Sequence, residues 1–178
     1  TTVNIVDPVL IPITFESPTV NYAFTNFGGG VSTKIPNPQI NGINTSANVA
    51  RMVKNAPEVW AGSFITVGNP IDFSANKVFR MKVFSPRVGA KVLLKVENLT
   101  NGGIFFEKEV LTTVANTWED MAFDFRTINT GNTYQKVVLI FDLGTAGNGS
   151  ANFTWLFDDI RLTNQMPVSL LALPVTFD

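Results

Sequence analysis

Charged side chains recur at alternating positions along several apolar segments of this sequence. Each of the following stands opposite an apolar set on its own segment: Arg80, Lys82, Lys95, Glu97, Asp124 and Asp142. If these segments are neighbouring strands, the side chains form one charged face that could hold ligand hydroxyls bidentately, or carboxylates if Arg and Lys dominate. The alternative is the ordinary solvated face of an antiparallel sheet. Arg80 and Asp142 are the pair we expect to order each other beside a ligand.

The same carboxylates offer a second chemistry, the hydrolysis of glycosidic bonds, in which Glu97 would act with Asp124 or Asp142. Histidine and cysteine are both absent, which removes the usual general base, the usual zinc ligand and the common nucleophile pairs. With 178 residues and two tyrosines, the chain is also small for a deep catalytic cleft. A small polysaccharide-cleaving enzyme is therefore the less favoured alternative.

The segments that must position these side chains have the periodicity of β-strands. Residues 79–83, 91–97 and 119–126 alternate between apolar and polar, and 136–141 is a continuous apolar run typical of a strand covered on both faces. Turn residues such as Asn101-Gly102-Gly103 separate the runs, and only residues 45–55 have a faint helical pattern. The sequence predicts an all-β protein, a β-sandwich jelly roll of two antiparallel sheets.

Composition restricts the partners. The formal net charge is −1, so no field favours nucleic acid or an anionic membrane. No apolar run approaches the roughly 20 residues that span a bilayer, so no membrane insertion is expected. The chain is 45% hydrophobic and 15% charged, enough for one well-buried core, and we expect an extracellular or cell-surface, secreted β-domain.

A six-residue sequence pattern occurs twice in the chain. Ile11-Pro12-Ile13-Thr14-Phe15-Glu16 returns at the end as Leu173-Pro174-Val175-Thr176-Phe177-Asp178, at a spacing close to one domain. Chance is the alternative for so short a match. The repeat predicts a tandem array, with an N-terminal linker over 1–9, one module over 10–164, and a linker plus the possible first strand of a following repeat over 165–178. Neighbouring modules of the same polypeptide would then be partners.

The order of segments resembles a known family. Phe15-Glu16 on a first strand, Thr117-Trp118 opening a late strand and Phe157-Asp158-Asp159-Ile160 closing the domain carry the likeness. The chain resembles the jelly-roll carbohydrate-binding modules of the family 4 and family 22 type, as appended to bacterial polysaccharide-degrading enzymes. The resemblance spans roughly residues 10–164.

A module of this kind needs exposed aromatic rings for the C–H faces of sugars and polar side chains for their hydroxyls. Trp60, which follows a polar, Pro-broken stretch, is the best candidate for such a platform, with a Trp packed at a sheet edge as the alternative. Tyr22 and Phe27 flank the Gly28-Gly29-Gly30 loop and could rim a cleft or anchor the loop. The predicted carbohydrate site therefore comprises Trp60, Tyr22, Phe27, Arg80, Lys95, Glu97, Asp124 and Asp142.

The resemblance also implies a structural calcium ion. Glu16 on the first strand and Asp158 on the last would meet, and the loop with Asn44 would complete the site with oxygen ligands, as Ca²⁺ requires. Alternation places Asp158 on the same face as Ile160, with its carboxylate pointing inward and Asp159 outward.

Together these features favour a non-catalytic carbohydrate-binding module. The resemblance implies a polysaccharide ligand, with β-glucan ahead of xylan, and a role in targeting an attached enzyme or a cell surface to it. The alternative is a ligand-free spacer or adhesion module in a tandem surface array.

Overall fold

The computed structural model describes residues 6–167, and its regular structure is almost wholly β. Ten strands follow in order: Thr25–Phe27 (β1), Gly30–Pro36 (β2), Asn48–Lys54 (β3), Gly62–Thr66 (β4), Val78–Phe84 (β5), Lys91–Glu97 (β6), Phe105–Leu111 (β7), Trp118–Asp124 (β8), Lys136–Phe141 (β9) and Thr154–Thr163 (β10). One 3₁₀ turn, Ala151–Phe153, precedes β10. Within the described range, no helix is long and apolar enough to cross a membrane.

The strands form two five-stranded antiparallel sheets packed face to face. The first sheet has the order β1-β4-β9-β6-β7 and the second β2-β3-β10-β5-β8. The predicted β-sandwich is confirmed. Strand β6 has the bounds that alternation predicts, with Val92, Leu94 and Val96 fully buried on one face and the charged residues on the other. Strand β9 has the bounds of the continuous apolar run.

The core lies between the sheets and is rich in aromatic rings. Phe79, Phe123, Phe125, Phe141, Trp155 and Phe157 are each fully buried there. The rings of Phe141, from the first sheet, and Trp155, from the second, stack with centroids 5.2 Å apart. Truncating such a ring to Ala typically costs about 3–5 kcal/mol, so these residues account for the fold and most rings are unavailable to ligands.

The helical interpretation of residues 45–55 is wrong. This segment contains β3, which pairs with both β2 and β10. Ala50, Met52 and Lys54 point into the sandwich and are fully buried, so the period of two determines its structure.

The amino-terminal segment packs on the sandwich. Residues 6–9, predicted as linker, include the buried Val9, and Asp7 forms a bridge with Val20. The predicted first strand is reduced to one bridge, in which Ile13 exchanges two backbone hydrogen bonds with Ile160 of β10. The first segment is therefore the neighbour of the last strand, as expected. The second copy of the repeated six-residue pattern, 173–178, lies outside the described residues.

Candidate functional site

A groove of about 350 Å³ crosses the outer face of the first sheet. Hydrogen-bonded register aligns its side chains in rows across the strands. One row contains Phe64, Val138, Lys95 and Glu107, and the next contains Lys136, Glu97 and Phe105. The other side of the groove has Ile140 and Leu93 in register, with Phe27 opposite Gly62. The outward half of each alternating strand thus forms a mixed apolar and charged surface.

Two stacked rings form one end of this groove. Trp60 is 47% exposed, and its indole lies against the ring of Phe27, with centroids 6.0 Å apart and planes inclined by 21°. Gly28, with φ of +63°, lets the indole approach the backbone, since a Cβ there would stand 2.9 Å from the ring. Gly62 leaves room for Phe27 in the same way. The result is a supported aromatic face open to solvent.

Ion pairs form the floor of the groove. Glu97 accepts from the Lys95 ammonium at 2.8 Å and lies 4.0 Å from that of Lys136. Lys95 also stands over the ring of Phe105 at 4.2 Å, and Lys136 over the ring of Phe64 at 5.3 Å. The side chains of Lys95, Glu97 and Lys136 are about four-fifths buried, so their positions are fixed by one another. The exposed fifth of each side chain remains accessible to a ligand.

The structure brings four of the eight predicted carbohydrate-site residues into this groove: Trp60, Phe27, Lys95 and Glu97. It adds lining residues that the sequence analysis did not select: Phe64, Leu93, Glu107, Val138, Ile140 and Leu143. The alternation of 91–97 already assigned Leu93 to the outer face. Glu107 was missed because residues 105–111 were not assigned as a strand. The Asn101-Gly102-Gly103 turn was the available signal, since β7 pairs with β6 across it as a hairpin.

Tyr22 and Asp142 lie elsewhere. Tyr22 packs on Phe15 with ring centroids 5.2 Å apart, and its hydroxyl accepts a hydrogen bond from the Ser17 amide. Asp142 is buried and pairs with Arg87. The predicted Arg80–Asp142 pair is therefore wrong, because Arg80 pairs with Asp120 while Asp142 pairs with Arg87.

Arg80 and Asp124 belong to the second sheet. Arg80 pairs with Asp120 at 2.6 Å, in a network that continues through Arg161 and Asp159. Asp124 accepts from the backbone and side chain of Arg126, which lowers the pKa of its carboxyl to about 2. The prediction of a single charged face is thus wrong. Alternation separates the inward from the outward side chains of one strand, whereas the pairing of strands decides to which sheet they belong.

A larger depression, about 570 Å³, lies at another edge of the sandwich, between Pro12, Pro70 and Arg161. Its lining has no aromatic ring. The groove with Trp60 is therefore the better candidate for a surface that recognises flat apolar faces.

Two of the three candidate metal residues, Asp158 and Asn44, are neighbours, while Glu16 contacts Asn48. Asp158 is fully buried next to Asn44 and Ser46, and its Oδ1 accepts from the Asp159 amide at 2.7 Å. Its Oδ2 and the Asn44 Nδ2 are buried without a hydrogen-bond partner. Burial raises the pKa of the Asp158 carboxyl, and the polar neighbours lower it less. Glu16 lies nearby, where it accepts from the amide of Asn48.

A bulge in β10 changes the face that Asp158 occupies. Phe157 and Ile160 both point into the core, although they are three residues apart, because the register shifts between Asp158 and Arg161 and Asp159 has φ of +53°. Asp158 therefore points away from Ile160, and the inward orientation predicted from alternation is wrong. The unpartnered carboxylate oxygen fits an oxygen-seeking cation, although the described residues contain no cluster of three acidic, His or Cys side chains.

Comparison with known proteins identifies solved structures of the same fold. No protein-family model matches the sequence, and no curated protein is similar to it. A family 28 carbohydrate-binding module specific for non-crystalline cellulose superposes with a TM-score of 0.62 at 12% identity, covering 89% of this chain and 97% of that one. The family 11 module of a cellulosomal cellulase of Clostridium thermocellum gives 0.56 at 11%, covering 90% and 96%.

An exo-β-agarase structure is similar in part. It gives a TM-score of 0.62 at 12% identity over 87% of this chain, which spans about a quarter (25%) of that enzyme. At these identities the likeness shows the fold, a β-sandwich shared with carbohydrate-binding modules. The jelly roll implied by the sequence resemblance is confirmed, while families 4 and 22 stay a prediction.

Proposed function

We propose that this chain is a non-catalytic carbohydrate-binding module that takes a neutral polysaccharide of the β-glucan type. The observation that carries the proposal is the half-exposed Trp60, stacked on Phe27 at one end of a groove across the sheet. A sugar ring presents an apolar C–H face and a rim of hydroxyls, which a supported indole and adjacent charged groups complement.

Charge balance favours a neutral polymer. Lys95 and Lys136 are matched in the groove by Glu97 and Glu107. A polyanion such as alginate would need an excess of cations there. The β-glucan type is further supported by the cellulose specificity stated for the family 28 module of the same fold.

A binding role without catalysis is supported by the contacts of the groove carboxylates. Glu107 is a second carboxylate in the groove, but Glu97 is engaged by two ammonium groups, whereas the acid of a glycosidase must be placed to give a proton to the leaving group. Polymers of this kind are met outside the cell, so we propose an extracellular or surface location and a targeting role for an attached enzyme or cell surface. Linked modules of modest affinity would gain avidity from effective concentration.

We also propose a structural calcium ion at Asp158, Asn44 and Glu16. The buried, unpartnered Oδ2 of Asp158 supports it, since a buried carboxylate needs a cation or hydrogen bonds. The ion would fix the loop over the second sheet, away from the groove, and would take no part in ligand contact.

Affinity electrophoresis tests the proposed function. The purified chain is run, with and without EDTA, through gels containing laminarin, mixed-linkage glucan, xylan, cellulose derivatives or alginate. We expect retardation by a neutral β-glucan, abolished in Trp60→Ala and retained in Ile40→Ala, an exposed aliphatic control on a different loop. Folded protein that no gel retards would overturn the proposal in favour of a spacer module.

A further inference from the structure

A buried lysine sits behind the aromatic end of the groove. Lys54, the last residue of β3, is fully buried. Its Nζ donates to three backbone carbonyls, those of Val59 at 2.9 Å, Phe141 at 2.8 Å and Asp142 at 2.8 Å. An ammonium group has three N–H donors, so each proton is matched to one acceptor.

Those carbonyls belong to the two segments that carry the groove end. Val59 directly precedes Trp60, and Asp142 directly precedes Leu143, and both of these neighbours line the groove. The segments also contact each other, because the Gly144 amide donates to the Val59 carbonyl at 3.2 Å. One ammonium therefore ties β3, the end of β9 and the loop before Trp60 together.

We propose that Lys54 is a positioning residue for the glycan groove, whose charged ammonium fixes the backbone on which Trp60 and Leu143 are mounted. The inference rests on the proposed function for its ligand, but the positioning itself is a property of the chain. Without the Lys54 side chain, three backbone carbonyls lose this shared donor, which loosens this end of the groove.

The folded chain holds this lysine at an electrostatic cost. Burial lowers the pKa of Lys54 to about 8; the Asp142 carboxylate opposes this shift, and the Arg87 guanidinium adds to it. Glu58 is the one titratable residue of the loop over 55–60. A loosened end would admit water and bring the pKa of Lys54 back toward 10.5, so rising pH favours the closed arrangement.

Global stability follows the same sign. The unfolded chain keeps the Lys54 proton up to the ordinary pKa of 10.5. Between about 8 and 10.5 it therefore binds more protons than the folded chain, and this group's contribution to the free energy of unfolding rises with pH. The positioning role is therefore tested by replacing the Lys54 side chain at constant pH.

Acrylamide quenching of Trp fluorescence at pH 7 measures how firmly Trp60 is held. Trp118 and Trp155 are 5% and 0% exposed, so Trp60 is the quenchable indole. We expect Lys54→Met to raise the quenching constant, because three backbone carbonyls lose their shared donor. Trp60→Phe should remove the signal, and Lys34→Met, on the outer strand β2, should leave the quenching constant unchanged.

Binding to laminarin or mixed-linkage glucan is measured on the same variants at pH 7. Affinity should fall in Lys54→Met and stay level in Lys34→Met. An unchanged quenching constant in folded Lys54→Met overturns the positioning role. A raised quenching constant in Lys54→Met, with an unmodified chain that binds no glucan, supports the positioning role and overturns the proposed function. If Lys54→Met does not fold, hydrogen exchange of the Gly144 amide in the unmodified chain decides: slow exchange supports the role, because this amide donates to the Val59 carbonyl, and exchange as fast as in an open loop overturns it.

Discussion

Phe27 lies between Trp60 and the backbone of Gly62. Its ring stacks on the indole at 6.0 Å, and a Cβ on Gly62 would stand 2.8 Å from that ring. The exposed platform is therefore held by a second ring, which is held in turn by the absence of a side chain on β4.

Phe27→Ala is expected to weaken binding although Trp60 is retained. Without its stacked partner, the indole loses its fixed orientation, and truncation of an aromatic anchor typically costs about 2 kcal/mol, roughly thirtyfold in affinity. Isothermal titration with the glucan selected by electrophoresis measures the loss. Ile40→Ala is the control, and an unchanged affinity in Phe27→Ala would show that the stack is irrelevant to the ligand.

Glu97→Gln should change which polymers the groove accepts. Removal of the carboxylate leaves Glu107 alone to balance Lys95 and Lys136, so the groove gains a net positive charge. Gels containing alginate should then retard the variant at low salt and release it at high salt, whereas the unmodified chain runs freely. Asp124→Asn removes one negative charge from the second sheet and should gain no retardation; if it does, net charge alone explains the effect.

Phe105→Ala should affect long ligands only. Phe105 is 46% exposed on β7, four strand spacings from Phe27 on β1, or about 19 Å. Oligosaccharides too short to reach across should bind the variant and the unmodified chain equally, while longer ones lose affinity. Titration with a length series of glucan oligosaccharides measures this, and an equal loss at every length would contradict binding along the whole groove.

Gly62→Ala should destabilise the fold. Its Cβ would stand 2.5 Å from the Leu139 carbonyl oxygen, and backbone cannot yield as a flexible side chain can. We expect a loss of about 1–3 kcal/mol, measured by urea denaturation. Gly102→Ala, where the nearest atom is 3.8 Å away, should change the free energy of unfolding by less than about 0.5 kcal/mol.

Asp158→Asn should remove the response to calcium. The thermal midpoint of the unmodified chain should rise with Ca²⁺ and fall with EDTA, as mass action requires of a ligand that binds the folded state, and the variant should show neither shift. Because burial raises the pKa of Asp158, its carboxylate costs stability at neutral pH without metal. The metal-free variant should therefore melt no lower than the metal-free unmodified chain. A calcium response that survives in Asp158→Asn places any bound ion elsewhere.

The strands were predictable from local pattern. Val92, Leu94 and Val96 alternate with Lys91, Lys95 and Glu97, and that period determines both the bounds of β6 and the face each side chain occupies. The candidates Trp60 and Phe27 were also accessible, because an aromatic residue beside glycine or after a Pro-broken stretch is a local signal. Composition alone was enough to disfavour nucleic acid and histidine-based catalysis.

Tertiary structure decided which of these faces share a surface. Arg80 and Lys95 have the same local pattern, yet β5 pairs with β8 and β10 while β6 pairs with β7 and β9, so they lie on opposite sheets. A one-residue bulge reversed the orientation expected for Asp158, and long-range packing buried Lys54 under three carbonyls. Alternation is a property of one strand, whereas sheet membership, register shifts and the burial of a charge depend on residues far apart in the chain, and only the folded structure specifies them.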